Sequence, residues 1–82
     1  MNIWRLETCK AATGYRSTAS IYNLIKKGLW PKSVKLNARS VGWPDAEILA
    51  INAARIAGQS DDQIRELVLR LHAKRSELLS EA

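Results

Sequence analysis

The side chains able to do chemistry in this 82-residue chain are hydrogen-bond donors and cations, not nucleophiles. Between Gly14 and Gly28 stand Arg16, Ser17, Thr18 and Ser20, followed by Tyr22, Asn23, Lys26 and Lys27. The short hydroxyls and forked guanidinium at the start suit hydrogen bonds to base edges, and Tyr22, Asn23 and Lys26 further along suit phosphates and groove walls. A second set, Lys35, Asn37 and Arg39, follows within a dozen residues and suits phosphates or a minor groove. Catalysis has no comparable set. His72 and Cys9, the single histidine and cysteine, have no partners at useful spacing, and no glycine-rich phosphate loop is present. A Cys/His zinc site is excluded on the same ground. No cofactor is expected, and the chain is not expected to be an enzyme.

The elements that must hold these side chains follow from apolar spacing. Leu6, Cys9 and Ala12 recur every three residues and predict a first helix over Leu6–Ala12, capped by Thr8 or its predecessor and ended by Gly14. Cys9 reads as a small core residue, and Asn2–Leu6 as a short strand or core cover with Trp4 as a lid. After the turn Tyr15–Ser17, Ser17 or Thr18 caps a second helix. Ile21, Leu24 and Ile25 form its buried stripe, which leaves Thr18, Tyr22, Asn23, Lys26 and Lys27 on the open face. Gly28 stops it, and Pro31 breaks any continuation. Ser33–Leu36 and Ser40–Trp43 alternate as two strands around Asn37-Ala38-Arg39. Val34, Leu36, Val41 and Trp43 are expected to face inward and Lys35 outward.

Pro44 suits the first position of a third helix, with Asp45 and Glu47 favourable against its dipole. Ile48, Leu49, Ile51 and Ile56 make that helix apolar around much of its girth, and Gly58 ends it. Ser60 with Gln63 is a capping-box pattern that opens a fourth helix running to about Leu79. Its stripe is Ile64, Leu67, Val68, Leu71 and Leu78. A turn, a short polar-faced helix and a basic-tipped hairpin make a winged helix-turn-helix. The expected fold class is therefore mainly α with a minor β part: a winged helix-turn-helix with a small β-hairpin wing and an additional C-terminal helix. Residues 1–58 are expected to form the DNA-binding domain. Residues 59–82 are expected to form an amphipathic helix packing on that domain or on a partner.

Charge points the same way. The net charge is +5, but residues 1–43 hold eight basic side chains against Glu7 alone, whereas residues 44–82 hold five basic and seven acidic. The first half is thus +7 and the second −2. A basic half beside an acidic one is the footprint of a nucleic-acid binder with a separate packing or partner segment. The apolar fraction of 46% suits one small domain whose core is marginal at this length. A lone cysteine excludes an internal disulfide and fits a reducing cytoplasm. No apolar run approaches a membrane span and no signal peptide is expected.

Residues Arg5 to about Ala57 resemble the AlpA family of prophage and genomic-island regulators. The resemblance is carried by Arg5-Leu6, Cys9, Thr13-Gly14, Ser20–Ile25, Lys26–Lys32, the hairpin Val34–Trp43, and Glu47–Ala57 with its Ala53-Ala54-Arg55-Ile56-Ala57 end. It covers about two thirds of the chain. It implies a winged helix-turn-helix related to excisionases and to the DNA-binding part of MerR regulators. It also implies action as a transcriptional regulator, as an excision factor assisting an integrase, or as both. Where the family commonly has Ser-Arg-Ser-Thr before Ile-Tyr, this chain has the longer Tyr15-Arg16-Ser17-Thr18-Ala19-Ser20. Arg16 is the counterpart of the family's arginine.

The expected partner is double-stranded DNA, bound through Arg16, Ser17, Thr18, Ser20, Tyr22, Asn23, Lys26, Lys27, Lys35, Asn37 and Arg39. An integrase or another regulator is a further expected partner, with cooperative self-association on DNA. The expected location is the cytoplasm of a bacterium, on the nucleoid. The alternative function is a protein-interaction module, such as an antirepressor or response-regulator inhibitor, that uses the fourth helix. An RNA binder ranks lower, because no sheet surface bears aromatic side chains for stacking bases.

Overall fold

The computed structural model describes residues 2–81. In chain order its elements are β1 (Ile3–Trp4), α1 (Leu6–Thr13), α2 (Thr18–Lys26), β2 (Val34–Asn37), β3 (Ser40–Pro44), α3 (Asp45–Ile56) and α4 (Asp61–Glu81). A helix pair followed by a hairpin is the order of a winged helix-turn-helix, here with α4 added.

α1 starts one turn earlier than a Thr8 cap requires. Arg5 stands at its N-cap with no side-chain bond, so Thr8 lies inside the helix. Gly14 ends it with φ 82°, and its N–H donates to the Lys10 carbonyl. α2 is capped by Ser17, whose Oγ accepts the Ser20 N–H at 3.4 Å. That hydroxyl satisfies one of the four backbone donors a helix start leaves open.

The sheet is antiparallel, in the order β1-β3-β2. β3 is central because Gly42 allows a close approach. A Cβ there would lie 2.5 Å from Ile3 Cγ2 and 2.9 Å from the Trp4 carbonyl oxygen, inside contact distance of backbone. β3 runs to Pro44, which pairs with Ile3 and keeps extended backbone at φ −56°, ψ 130°. Pro44 is therefore the N-cap of α3 and not its first helical residue. The Asp45 N–H donates to the Asn2 carbonyl at 2.8 Å, and Asp45 Oδ1 accepts the N–H groups of Asn2 and Ala46.

Leu36 does not face inward; it is 44% exposed. The cause is the hairpin's register. Lys35 pairs with Val41 but Asn37 pairs with Ser40, so Leu36 is an extra residue on β2. Two-residue hairpin turns of the favoured hand need φ above zero, and no described non-glycine residue has it. The bulge at Leu36 takes up the difference. Facing is set by the pairing before it: Val34 stands opposite Gly42 and Lys35 opposite Val41, and directly paired residues share a face. Val34 and Leu36 therefore lie on the Gly42 face, and Lys35, still exposed, on the face of Val41. The Leu36 side chain lies over Gly42.

Two apolar clusters fill the interior. Cys9, Ile21, Trp30, Trp43 and Ile48 form one; Leu29, Ile51, Ala54, Ile64 and Val68 form the other. Leu24 packs against both. Trp30 and Trp43 are 1% and 0% exposed, and burying an apolar side chain contributes about 1.5–3 kcal/mol. α3 serves both clusters along one stripe, Ile48–Ile51–Ala54. Its apolar girth is not all buried: Leu49 and Ile56 are 50% and 82% exposed. The capping box forms as read, with Ser60 N–H donating to Gln63 Oε1 at 2.9 Å and Gln63 N–H to Ser60 Oγ at 3.2 Å. α4 then lies along α3, with Ile64 and Val68 buried and Leu67 and Leu71 packed against the second cluster.

Candidate nucleic-acid interface

α2 turns 100° per residue, and Ile21, which is fully buried, anchors one side. Thr18, Tyr22 and Lys26 then line up along the exposed side, flanked by Ala19 and Asn23; all five are exposed. Ser20 falls outside this arc and is half-buried. Arg16 and Ser17 are exposed in the turn before the helix, and Lys27 is exposed at its C-cap. Ser17 Oγ accepts one N–H at the cap, and its O–H and second lone pair are left for other partners. Ala19 belongs to the arc but carried no polar signal in the sequence.

Lys35, Asn37 and Arg39 are exposed on the hairpin. Asn37 Oδ1 accepts the Arg39 N–H at 2.9 Å, an Asx turn that shapes the tip. Asn37 is thus a turn former with its amide N–H groups still available. Among the described residues, the ion pairs join Lys10 to Glu7, Arg55 to Asp61, Arg65 to Asp62 and Arg75 to Glu47. None takes a cation of the candidate set. No acidic residue occurs from Thr8 to Pro44, so the field over α2 and the hairpin is unopposed along the chain.

The two groups are joined by residues 27–33, and α4 holds this linker. Arg65 Nε donates to the Lys27 carbonyl at 2.8 Å. Its stem passes over Gly28, where φ is 75° and a Cβ would lie 3.6 Å from Arg65 Cγ. The Lys32 N–H donates to His72 Nε2 at 3.1 Å, and Arg75 Nη2 donates to the Lys32 carbonyl at 2.8 Å. Arg75 also makes a two-pronged pair with Glu47, at 2.8 and 2.6 Å. Leu29, Trp30 and Pro31 between these contacts are buried, and Trp43 Nε1 donates to the Pro31 carbonyl at 2.8 Å.

Two titrations are displaced. Burial, then the Arg75 and Lys32 charges, lower the His72 pKa below its ordinary 6.5, with Glu47 opposing. Burial pushes the Cys9 thiol up to about 11, so this cysteine is a core residue without thiolate character at neutral pH. No group of three His, Cys, Asp or Glu side chains among the described residues is placed to hold a metal ion. None of the described helices is long and apolar enough to cross a membrane. Sequence reading missed Arg65, His72 and Arg75 as linker contacts. Their spacing of seven and three puts them along one flank of a helix, but nothing in the sequence identified what that flank meets.

The family described as "Prophage CP4-57 regulatory protein (AlpA)" matches residues 2–50. That segment contains α1, α2, all three strands and the whole first cluster. The second cluster's Ile51, Ala54, Ile64 and Val68, and the three linker-holding side chains of α4, lie beyond it. A protein of Enterobacteria phage P4, described as "Uncharacterized protein ORF88", is 44% identical over 43 residues, which is 52% of this chain and 49% of that protein. The chain thus spans about half the length of the curated relative it matches. No solved structure matches it.

Proposed function

This chain belongs to the AlpA family of prophage regulatory proteins, and on that premise we propose that it is a sequence-specific DNA-binding regulator of a prophage or genomic island. α2 enters the major groove, with Thr18, Asn23 and Arg16 reading base edges and Tyr22, Lys26 and Lys27 on the groove walls. The hairpin reaches the adjacent backbone or minor groove through Lys35 and Arg39. Residues 1–58 are the DNA-binding unit in this reading, and residues 59–82 support it or meet a partner.

Binding supplies the mechanism. A bound copy occupies a promoter or an attachment site, associates with neighbouring copies, and assists RNA polymerase, an integrase, or both. It acts on the nucleoid, in the bacterial cytoplasm. One observation carries the reading: a polar, exposed α2 arc on a helix-turn-helix whose surrounding sequence is basic throughout.

The test is a titration of fluorescent duplexes with the full chain, preceded by selection from a random-sequence pool. Non-specific binding with Kd of about 10⁻⁴–10⁻⁶ M at physiological salt is expected, with affinity falling steeply as salt rises. Selection should recover one enriched site. Absence of duplex binding even at low salt overturns the reading. A protein-interaction role is the second reading, favoured by Leu69 and Leu79 of α4, which are 68% and 81% exposed. Retained sequence-specific DNA binding separates the two.

A further inference from the structure

We propose that α4 sets the spacing between α2 and the hairpin, with Arg65, His72 and Arg75 as positioning residues for DNA engagement; the proposal rests on the DNA-binding reading above. A winged helix-turn-helix engages DNA at two places, and the chain between them fixes whether both are reached at once. Here that chain is residues 27–33. Its two ends are tied to α4 by side-chain bonds to backbone. Arg65 takes the Lys27 carbonyl at the end of α2. His72 and Arg75 take the Lys32 N–H and carbonyl at the start of the hairpin.

Apolar packing seats the middle of the linker, with Leu29 against Ile64 and Val68 of α4, but it leaves the two ends to directional bonds. A groove of about 330 Å³ stays open between the linker and α4, lined by Ile25, Trp30, Val68 and Leu69 with Arg65 and His72. Across such a gap dispersion contacts are lost, and directional bonds decide the distance. Arg75 is itself immobilised, since its two-pronged pair with Glu47 ties it to α3. Glu47 is 5% exposed. The linker is therefore referenced to α3 and α4 jointly, and α4 lies wholly outside the family match. Duplex affinity in this chain depends on a helix that touches no DNA.

His72 makes the contact conditional. Its Nε2 accepts from Lys32 only in the neutral imidazole. Protonation puts a donor against a donor, beside the cations Lys32 and Arg75, with Glu47 the one anion among the charged groups acting on it.

The experiment compares the parent with His72→Leu, which removes the acceptor, and His72→Gln, which keeps one. Amide exchange in the full chain without DNA reads the lock directly. Lys32 exchange should accelerate about tenfold or more in His72→Leu while core amides of Ile21 and Ile48 stay protected. His72→Gln should restore the parent rate, and only the parent should lose protection as pH falls below the ordinary imidazole range. Unchanged Lys32 exchange in His72→Leu overturns the lock.

The second arm is a cycle with Arg39→Ala on duplex DNA. That change should weaken parent binding about tenfold and weaken His72→Leu by less than about twofold, because an unpositioned hairpin has little contact to lose. Equal cost in both backgrounds overturns the positioning role, since lowered stability alone leaves the ratio unchanged. A parent that binds no duplex overturns the DNA-binding reading instead, and the exchange arm still decides the lock.

Discussion

Glu47 on α3 and Arg75 on α4 are held 28 residues apart in sequence by two parallel bonds of 2.8 and 2.6 Å. The Glu47 side chain is 7% exposed and the Arg75 side chain 20%. Arg75 spends a further N–H on the Lys32 carbonyl, so one side chain joins α4, α3 and the linker. Removing one member leaves the other's charge buried and uncompensated. Glu47→Ala is expected to lower stability by about 3 kcal/mol, read as a drop in urea midpoint for the full chain. Replacing both residues with leucine should cost much less than Glu47→Ala alone. If the double change costs as much as the single one, the loss comes from shape and not from charge.

The two core tryptophans should respond differently to the same substitution. Trp43 Nε1 donates to the Pro31 carbonyl at 2.8 Å, whereas Trp30 Nε1 is buried with no partner. Tyr15 stands nearly perpendicular to the Trp30 ring, with centroids 5.9 Å apart. Trp43→Phe loses a bond and strands a buried acceptor; Trp30→Phe removes a donor that was already unsatisfied. Trp43→Phe is expected to cost about 1–2 kcal/mol more than Trp30→Phe, by denaturant unfolding of both variants. Equal costs would mean that ring volume governs both sites.

Much of this fold was legible because local signals agreed. Ser17, Gly14, Gly28 and the Ser60–Gln63 box placed helix ends within a residue or two, and the Ile21–Leu24–Ile25 stripe placed the open face of α2. What failed were inferences needing tertiary context. Leu36 alternates correctly in sequence, yet the strand pairing sets Val34 opposite Gly42 and so puts Val34 and Leu36 on the face away from Val41 and Trp43. Leu49 and Ile56 look like core, but α3 is covered on one stripe only. Pro31 reads only as a helix breaker, yet Leu29, Trp30 and Pro31 are buried structure. Glu47 reads as a helix-dipole residue, and its main partner is 28 residues away. For the candidate interface, residue type indicated which side chains point out, while the linker contacts from α4 left no local mark.

Stability should depend on pH through His72. Its folded pKa lies below the ordinary 6.5 because of burial and the neighbouring Arg75 and Lys32 charges. Below 6.5 the unfolded chain binds the proton more readily than the folded one. The neutral imidazole therefore contributes stability that is present above 6.5 and is lost as pH falls through the folded pKa. Thermal midpoints of the parent should decline over that acid range ahead of carboxylate titration, and His72→Gln should flatten this part of the profile. Parallel profiles for the two proteins would remove His72 as the cause.

The roles of side chains along α2 can be separated by salt and sequence together. Lys26 lies at the far end of the exposed arc, where a cation meets phosphate. Lys26→Ala should weaken binding to cognate and scrambled duplexes alike and lower the salt slope by roughly one unit. Thr18 opens the helix and Asn23 lies one turn before Lys26, both with short polar side chains suited to base edges. Asn23→Ala should cut cognate affinity by about 1–3 kcal/mol while leaving scrambled binding nearly unchanged. Arg16 lies outside the helix, ahead of the Ser17 cap, and the longer turn moves it relative to the arc. If Arg16→Ala lowers the ratio of specific to non-specific affinity, it reaches a base across that turn. If it lowers both affinities equally, it clamps the backbone and discrimination rests on Thr18 and Asn23. Should no substitution on this arc change the ratio while all weaken binding, α2 holds the DNA without reading it, and specificity lies in duplex shape at the hairpin.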